Sequence, residues 1–299
     1  MTTITTGPNV DGAVAGAGPV VSPARRRRQI ALYVAIAWLV IVLFHAIFAS
    51  WLPYVTKNPT QTIDATIAKK GPSLKAWFGG DQNGRDIFSY CVYGARASLF
   101  IGVATAFLGM VIGGGLGMVA GYFKGWIDNV ITSVADVMLS FPALILLIAI
   151  TSFWGRETYK IVIALTILSV APLARLVRAN TIVYAQREFV TASKAIGAKN
   201  SRIVLREIMP NVVPVALSFS FLTVAIIIVA EGTLAFLGVG LDTRIASWGT
   251  MIVQGRGEIT RHIYHIVLMP SLVLVATVLS LNVIGEKLRS RFDVRESAV

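Results

Sequence analysis

EFVTASKAIGAKNSRIVLREIMPN, residues 188–211, lies between two apolar runs that are each long enough to cross a bilayer. Phe189, Ala192 and Ile196 fall at i, i+3 and i+7, so a helix here carries them on one face, with Glu188 and Lys194 elsewhere. Gly197 suits the left-handed residue that ends a helix. Asn200 or Ser201 can cap a second short helix after it. Ile203, Val204 and Ile208 give that helix an apolar side, Arg202 keeps it basic, and Pro210 restarts the chain into the following span. The stretch therefore reads as helix, glycine turn and helix, where a short polar turn would suffice to join two spans. Two uses fit it. The small residues Ala192, Ser193 and Ala195 leave room for a close protein contact, and a basic amphipathic helix also lies well on anionic lipid.

Composition places this stretch in a membrane protein. Of 299 residues, 55% are hydrophobic and only 14% are charged, against about a quarter charged in soluble domains. Mean hydropathy is +0.72. The expected fold class is all-α, a polytopic membrane protein with six transmembrane helices. The net charge of +12 then reads as basic loops held on one side of a membrane, and nucleic acid is not an expected partner. Cys91 is the single cysteine, so no intrachain disulfide forms. His45, His262 and His265 share no metal-ligand spacing, and no metal or catalytic site is expected.

The chain divides as follows. Residues 1–28 read as a disordered tail ending in Arg25, Arg26, Arg27 and Arg28. Residues 29–53 form the first transmembrane helix and 54–96 a polar loop. Residues 97–287 hold five more spans: Ser98–Phe123, Ile127–Phe153, Tyr159–Val177, Val212–Leu237 and Ile263–Ile284. The basic element occupies 181–210, and 288–299 is a charged tail. Six crossings put both termini on one side, where the majority of Lys and Arg then fall, so that side is expected to be cytoplasmic and the 54–96 loop extracytoplasmic.

Gly109, Gly113, Gly117 and Gly121 share a face of the second span and invite close approach of another helix. Asp136 lies inside the third span, and Arg175 and Arg178 lie near the end of the fourth, within reach of it. Such an intramembrane charge pair either fixes packing or serves transport. Ser218, Ser220 and Thr223 stripe the fifth span. They either line a translocation path or bond their own helix. Glu231, late in that span, faces either a central cavity or the outer interface.

The 188–211 stretch resembles the cytoplasmic signature loop of ABC importer permeases. In that loop a Glu-Ala-Ala triplet is followed after three residues by Gly, and later by an apolar residue and Pro. Here Thr191, Ala192 and Ser193 hold the triplet, Gly197 the glycine, and Ile208-Met209-Pro210 the ending. Thr191 departs from the Glu and Ser193 from the second Ala. FGGDQNGRDIFSYCVYGARASL (78–99), TLAFLGVGLDTRIASWGTM (233–251) and LNVIGEKLRSRFDVR (281–295) resemble further segments of the C-type permeases of dipeptide and oligopeptide importers, the peptide/nickel branch. The likeness covers roughly residues 25–295.

The resemblance implies a type I ABC importer permease in the plasma (inner) membrane that moves di- or oligopeptides, or else nickel or another small solute, by alternating access. It implies a second homologous permease subunit, two ABC ATPase subunits that bind ATP and Mg, and an extracytoplasmic solute-binding protein as partners. The helix around Thr191–Ile196 would be the ATPase-coupling element. The chain has no Gly-x-x-x-x-Gly-Lys-Ser/Thr loop, so it is expected to bind no cofactor and to catalyse nothing itself. A secondary transporter would instead show inverted repeats, and none is evident.

Overall fold

A computed structural model of the chain describes residues 23–293. The expected tails fall mostly at 1–22 and 294–299, outside the described residues. Helices α1 (Pro23–Phe48), α2 (Ile87–Phe123), α5 (Thr158–Tyr184), α8 (Met209–Phe236) and α10 (His265–Asp293) are the long ones. Among the described residues five helices, the one through α8 running back to Asn200, are long and apolar enough to cross a membrane; α3 (Gly125–Ser140) and α4 (Ala143–Trp154) make a sixth if the bent pair is one span. Among the described residues there is no strand, only an isolated bridge between Gly80 and Asp86. The all-α expectation holds.

Several boundaries move. The helix α1 takes in Arg25–Arg28, expected in the tail, and α10 runs on to Asp293, well past Ile284. The two meet where Arg28 pairs with Glu286 at 3.1 Å. The helix α2 starts eleven residues before Ser98, because Asp86 caps it, accepting from the backbone N–H of Phe88 and Ser89. At about 1.5 Å per residue its 37 residues outreach a bilayer. Arg96, a charge that reads as loop, lies within it and serves α1, donating to the carbonyls of Ala46 (2.5 Å) and Ile47 (3.2 Å), both left free near that helix's end.

The third span is not one rod. The axes of α3 and α4 differ by 89°. Pro142 forces this: the residue before a proline avoids the helical region, and Phe141 is extended at φ −84°, ψ 138°.

The glycine stripe packs within the chain. A Cβ on Gly113 would lie 2.6 Å from the Val170 carbonyl oxygen, and one on Gly121 would lie 2.8 Å from that of Arg178. Contacts advance together along both helices, so α2 and α5 run parallel. Their core with α4 and α8 holds Ile101, Leu147, Ile161, Leu165 and Leu234. A second core gathers α1, α2, α8, α9 (Trp248–Gly255) and α10 around fully buried Trp248. The helix α9 and the 3-10 turn Arg256–Arg261 fill what reads as a plain loop. In the 49–86 loop, Lys75 and Thr66 hold the Asp64 carboxyl well below the usual carboxylate range.

Candidate functional site

The 188–211 stretch forms α6 (Glu188–Ala195), a turn, the single turn α7 (Asn200–Arg202) and a π-helical segment, Ile203–Ile208. The turn is a Schellman closure. The Gly197 N–H donates to the Lys194 carbonyl and the Ala198 N–H to that of Ser193, both at 3.0 Å, with Gly197 at φ +78°. Neither Asn200 nor Ser201 caps α7 by its side chain. Asn200 instead accepts a hydrogen bond from the Tyr122 hydroxyl at 2.8 Å, and Lys194 lies over the Tyr122 ring at 5.3 Å. The end of α2 thus clamps the turn, a contact between distant segments that no local pattern signals. Pro210 does not restart the chain: helix runs unbroken from Asn200 to Phe236. The proline lies inside that continuous helix, directly after the π segment, where the Met209 N–H bonds five residues back to the Val204 carbonyl.

An eight-residue helix has little stability of its own. What seats α6 is Val190, fully buried against Val177, Ile203, Ile208 and Val212. The shared face of Phe189, Ala192 and Ile196 looks outward. Phe189 is 38% exposed and Ile196 85% exposed, and Glu188, Thr191, Ala192 and Lys194 are exposed with them, while Ser193 is half-buried. Arg202 and Pro210 also face outward. An apolar and small-residue surface is therefore presented away from the chain on a base held at both ends.

Two ion pairs tie α3 to α5. Arg175 pairs with Asp136, and Arg178 grips both carboxylate oxygens of Asp128, one at 2.6 Å, with Thr132 also donating to Asp128. Arg178 was expected beside Asp136. Asp128 lies two turns nearer the start of α3, and nothing in the local sequence singles it out. The Asp128 pair is largely buried, but the Asp136 and Arg175 side chains remain 53% and 50% exposed.

The hydroxyl stripe divides. Ser218 and Ser220 are buried and donate to the carbonyls of Val215 (2.7 Å) and Ala216 (3.0 Å) in their own helix. Thr223 bonds the Phe219 carbonyl yet also lines a cavity of about 420 Å³, enclosed by the α3–α4 bend, α5 and α8. Its walls are nearly all apolar, with Leu139, Phe141, Leu168, Pro172 and Ile226 among them. Glu231 faces neither a cavity nor the outer interface. It is buried under α9, accepting a 2.8 Å hydrogen bond from the Ser247 hydroxyl, where Gly232 and Gly249 let the backbones touch.

Residues 113–296 match the family described as binding-protein-dependent transport system inner membrane component. A glutathione transport system permease protein of Shigella boydii is 36% identical over 293 residues, spanning 94% of this chain and 95% of the relative. The chain belongs to this family of ABC importer permeases. A glutathione transport system permease protein of Pectobacterium atrosepticum is 34% identical over 268 residues, spanning 89% of each. The fold of the permease is that of an inward-facing MetNI methionine ABC transporter structure, with a TM-score of 0.55 at 20% identity, over 69% of this chain and 97% of that one. The permease is thus a multi-pass inner-membrane subunit. Its family works with ATPase and substrate-binding partners.

Proposed function

We propose that this permease carries peptides inward by alternating access, and that α6 is the element through which partner ATPases drive it. The carrying observation is the surface of α6: Phe189, Ala192 and Ile196 face outward from a helix anchored by Val190 and closed by Gly197. An exposed apolar patch on a rigid base is what a partner's cleft requires. Because α5 leads into α6 and α7 leads out to α8, a push on α6 is transmitted to two spans without slack. Thr191 replaces the family glutamate, so seating rests on shape and apolar contact more than on that charge.

In this reading a second homologous permease completes the pathway, two ATPases bind ATP and Mg²⁺ beneath α6, and an extracytoplasmic solute-binding protein delivers substrate at the α9 end. Both termini and α6 are cytoplasmic. ATP shifts the equilibrium because it binds the closed ATPase pair better than the open one, since equal affinity would move nothing. The names of the similar permeases support a peptide as cargo.

The test is a mild-detergent pull-down of the tagged chain from native membranes, followed by peptide uptake in the reconstituted complex. Recovery of a second permease with ATPases, and ATP-dependent peptide uptake, is the expected result. Recovery of the chain alone, or a complex that takes up no peptide of any length, would overturn it.

A further inference from the structure

A polar pocket of about 530 Å³ lies where the start of α2 meets α9. Its lining comes from the segments 60–61, 82–85 and 243–244 and from Gln254 of α9. All of these lie outside the helices long and apolar enough to cross a membrane. Arg85 stands just before Ile87, the first residue of α2, whereas Tyr122 at the other end of α2 bonds Asn200 beside α6. At about 1.5 Å per residue the 37 residues of α2 set the pocket roughly 55 Å from that contact, on the face opposite α6. Gln254 gives the pocket its shape. Its Oε1 accepts from Arg85 Nη1 at 3.4 Å, its backbone carbonyl accepts from the Gln82 carboxamide at 3.2 Å, and its Nε2 donates to the Thr243 carbonyl at 3.1 Å. One residue of α9 thus holds both loops together.

Every lining residue is Thr, Gln, Asn or Arg, so the pocket holds two cations and no anion. Both cations are poorly compensated. The Arg85 side chain is only 19% exposed. Its carboxylate partner, Asp81, turns Oδ1 to the backbone N–H groups of Asn83 and Arg85, both at 2.8 Å, and its Oδ2 stays 3.8 Å from Arg85 Nη1, too far for a hydrogen bond. Arg85 Nε is buried with no partner among the described residues. Asp242 repeats the pattern: its Oδ1 accepts the Arg244 backbone N–H at 2.9 Å and stays 3.8 Å from the Arg244 side-chain Nε. A largely buried guanidinium is costly until an anion meets it, and a carboxylate is the anion that fits its fork. The lining has no aliphatic or aromatic side chain of the kind that anchors a protein surface. A small polar anion is therefore the better match.

We infer that this pocket is a carboxylate site that receives the free C-terminus of an incoming peptide, with Arg85 and Arg244 as the donors. The inference rests on the peptide-import reading, in which the face opposite α6 is extracytoplasmic and meets cargo first. It adds a requirement on the cargo. A free α-carboxylate is needed, and the α-amino group is not read here, because no acidic residue lines the pocket. The hydroxyls and carboxamides around the two arginines suit the peptide backbone next to that carboxylate and make no demand on its side chains.

The test places a reporter in the pocket wall. Thr243 lines the pocket and is exposed, and the single native cysteine, Cys91, is buried. In the complete reconstituted transporter carrying Thr243→Cys, N-ethylmaleimide is expected to modify the new cysteine, read as added mass on the intact chain. N-acetyl-trialanine, which keeps only the carboxylate, is expected to slow that modification, and trialanine amide, which keeps only the ammonium, is not. Adding Arg85→Gln should raise the N-acetyl-trialanine concentration needed for half protection by about tenfold or more, the size of a lost charge-assisted hydrogen bond. Arg85→Lys keeps the charge and should lose less. The Arg244 side chain is 91% exposed, so Arg244→Gln leaves the fold intact and should weaken protection as well. No modification at all, equal protection by the amide or by acetate at the same concentration, or unchanged protection in both glutamine variants would each overturn the site. Protection by added solute-binding protein with no peptide present would make the pocket a docking contact and overturn it too. Uptake of trialanine by the transporter without the new cysteine is scored separately. Uptake with no protection by N-acetyl-trialanine sinks the carboxylate site alone, and absence of any peptide uptake sinks the import reading and the site with it.

Discussion

At Gly197 one backbone angle governs the proposed coupling element. A φ of +78° costs an ordinary L-residue about 1–2 kcal/mol, and a β-branched one more. No atom lies within 4 Å of where a Cβ would stand, so a substitution there acts through strain alone. Gly197→Val is expected to lower ATP-driven uptake with only a small drop, a few degrees, in the Tm of the purified chain, and Gly197→Asn, tolerated in this region, should retain most uptake. Normal uptake by the valine variant would remove the turn from the mechanism. Gly113 makes the opposite case. Its Cβ would collide with the Val170 carbonyl, so Gly113→Leu must push α2 off α5. A loss of several kcal/mol is expected, in the range of overpacked cores and lost close contact, read as a lowered Tm or loss of the folded chain from the membrane. The sequence marks both glycines, one by its place after an amphipathic turn and one by its four-residue spacing. It does not mark Asp128, whose importance comes wholly from Arg178, fifty residues away.

The helix α6 is short, exposed and held by one buried side chain. Replacing Val190 by Asp puts a charge among Val177, Ile203 and Ile208, and an unpaired buried charge has no compensation. The element should detach, and ATPase subunits should no longer co-purify, although the spans persist. Phe189→Asp leaves the seat intact and changes only the outward face. Loss of ATPases with that variant too, at unchanged Tm, would separate a contact role from a folding role. The α3–α4 pair offers a second element-scale test. Pro142 imposes the bend, and Pro142→Ala restores an amide N–H and the helical option for Phe141. Spin labels at the exposed positions Val130 and Phe153 should move apart as the 89° bend relaxes. An unchanged distance would mean that the cavity walls, rather than the proline, set the angle.

Across the whole molecule, the start of α1 and the end of α10 come together at Arg28 and Glu286. That closure supports a single membrane orientation, with α6 on the side of both ends. In intact cells, a cysteine placed at Thr191 should resist a membrane-impermeant thiol reagent and one at Thr62 should react. The buried Cys91 contributes little background. Reaction at Thr191 alone would invert the orientation. The two cores divide labour in this frame. One packs α9 and its Trp248 against α1, α2 and α10, and the other joins α2, α4, α5 and α8, reaching Ile161 near the start of α5 and Leu234 near the end of α8. The cavity lies beside the second, so a displacement of α5 and α8 through α6 reshapes it directly.

The long apolar helices, the glycine face of α2 and the turn at Gly197 all follow from the sequence itself, because each depends on neighbours within a few positions: an apolar run of bilayer length, a spacing of four, a residue free to take positive φ. What only the tertiary structure decided is which way each surface looks. In a membrane helix apolar residues cover the lipid side and the packed side alike, so periodicity does not separate them. Phe189 and Ile196 therefore mark an apolar face without saying which way it looks; the fold exposes it and buries Val190 as the anchor. The sequence likewise leaves open where Glu231 faces, and the fold puts it under α9. The burial of Val190 and the place of Glu231 depend on partners in other elements, which local preference does not encode.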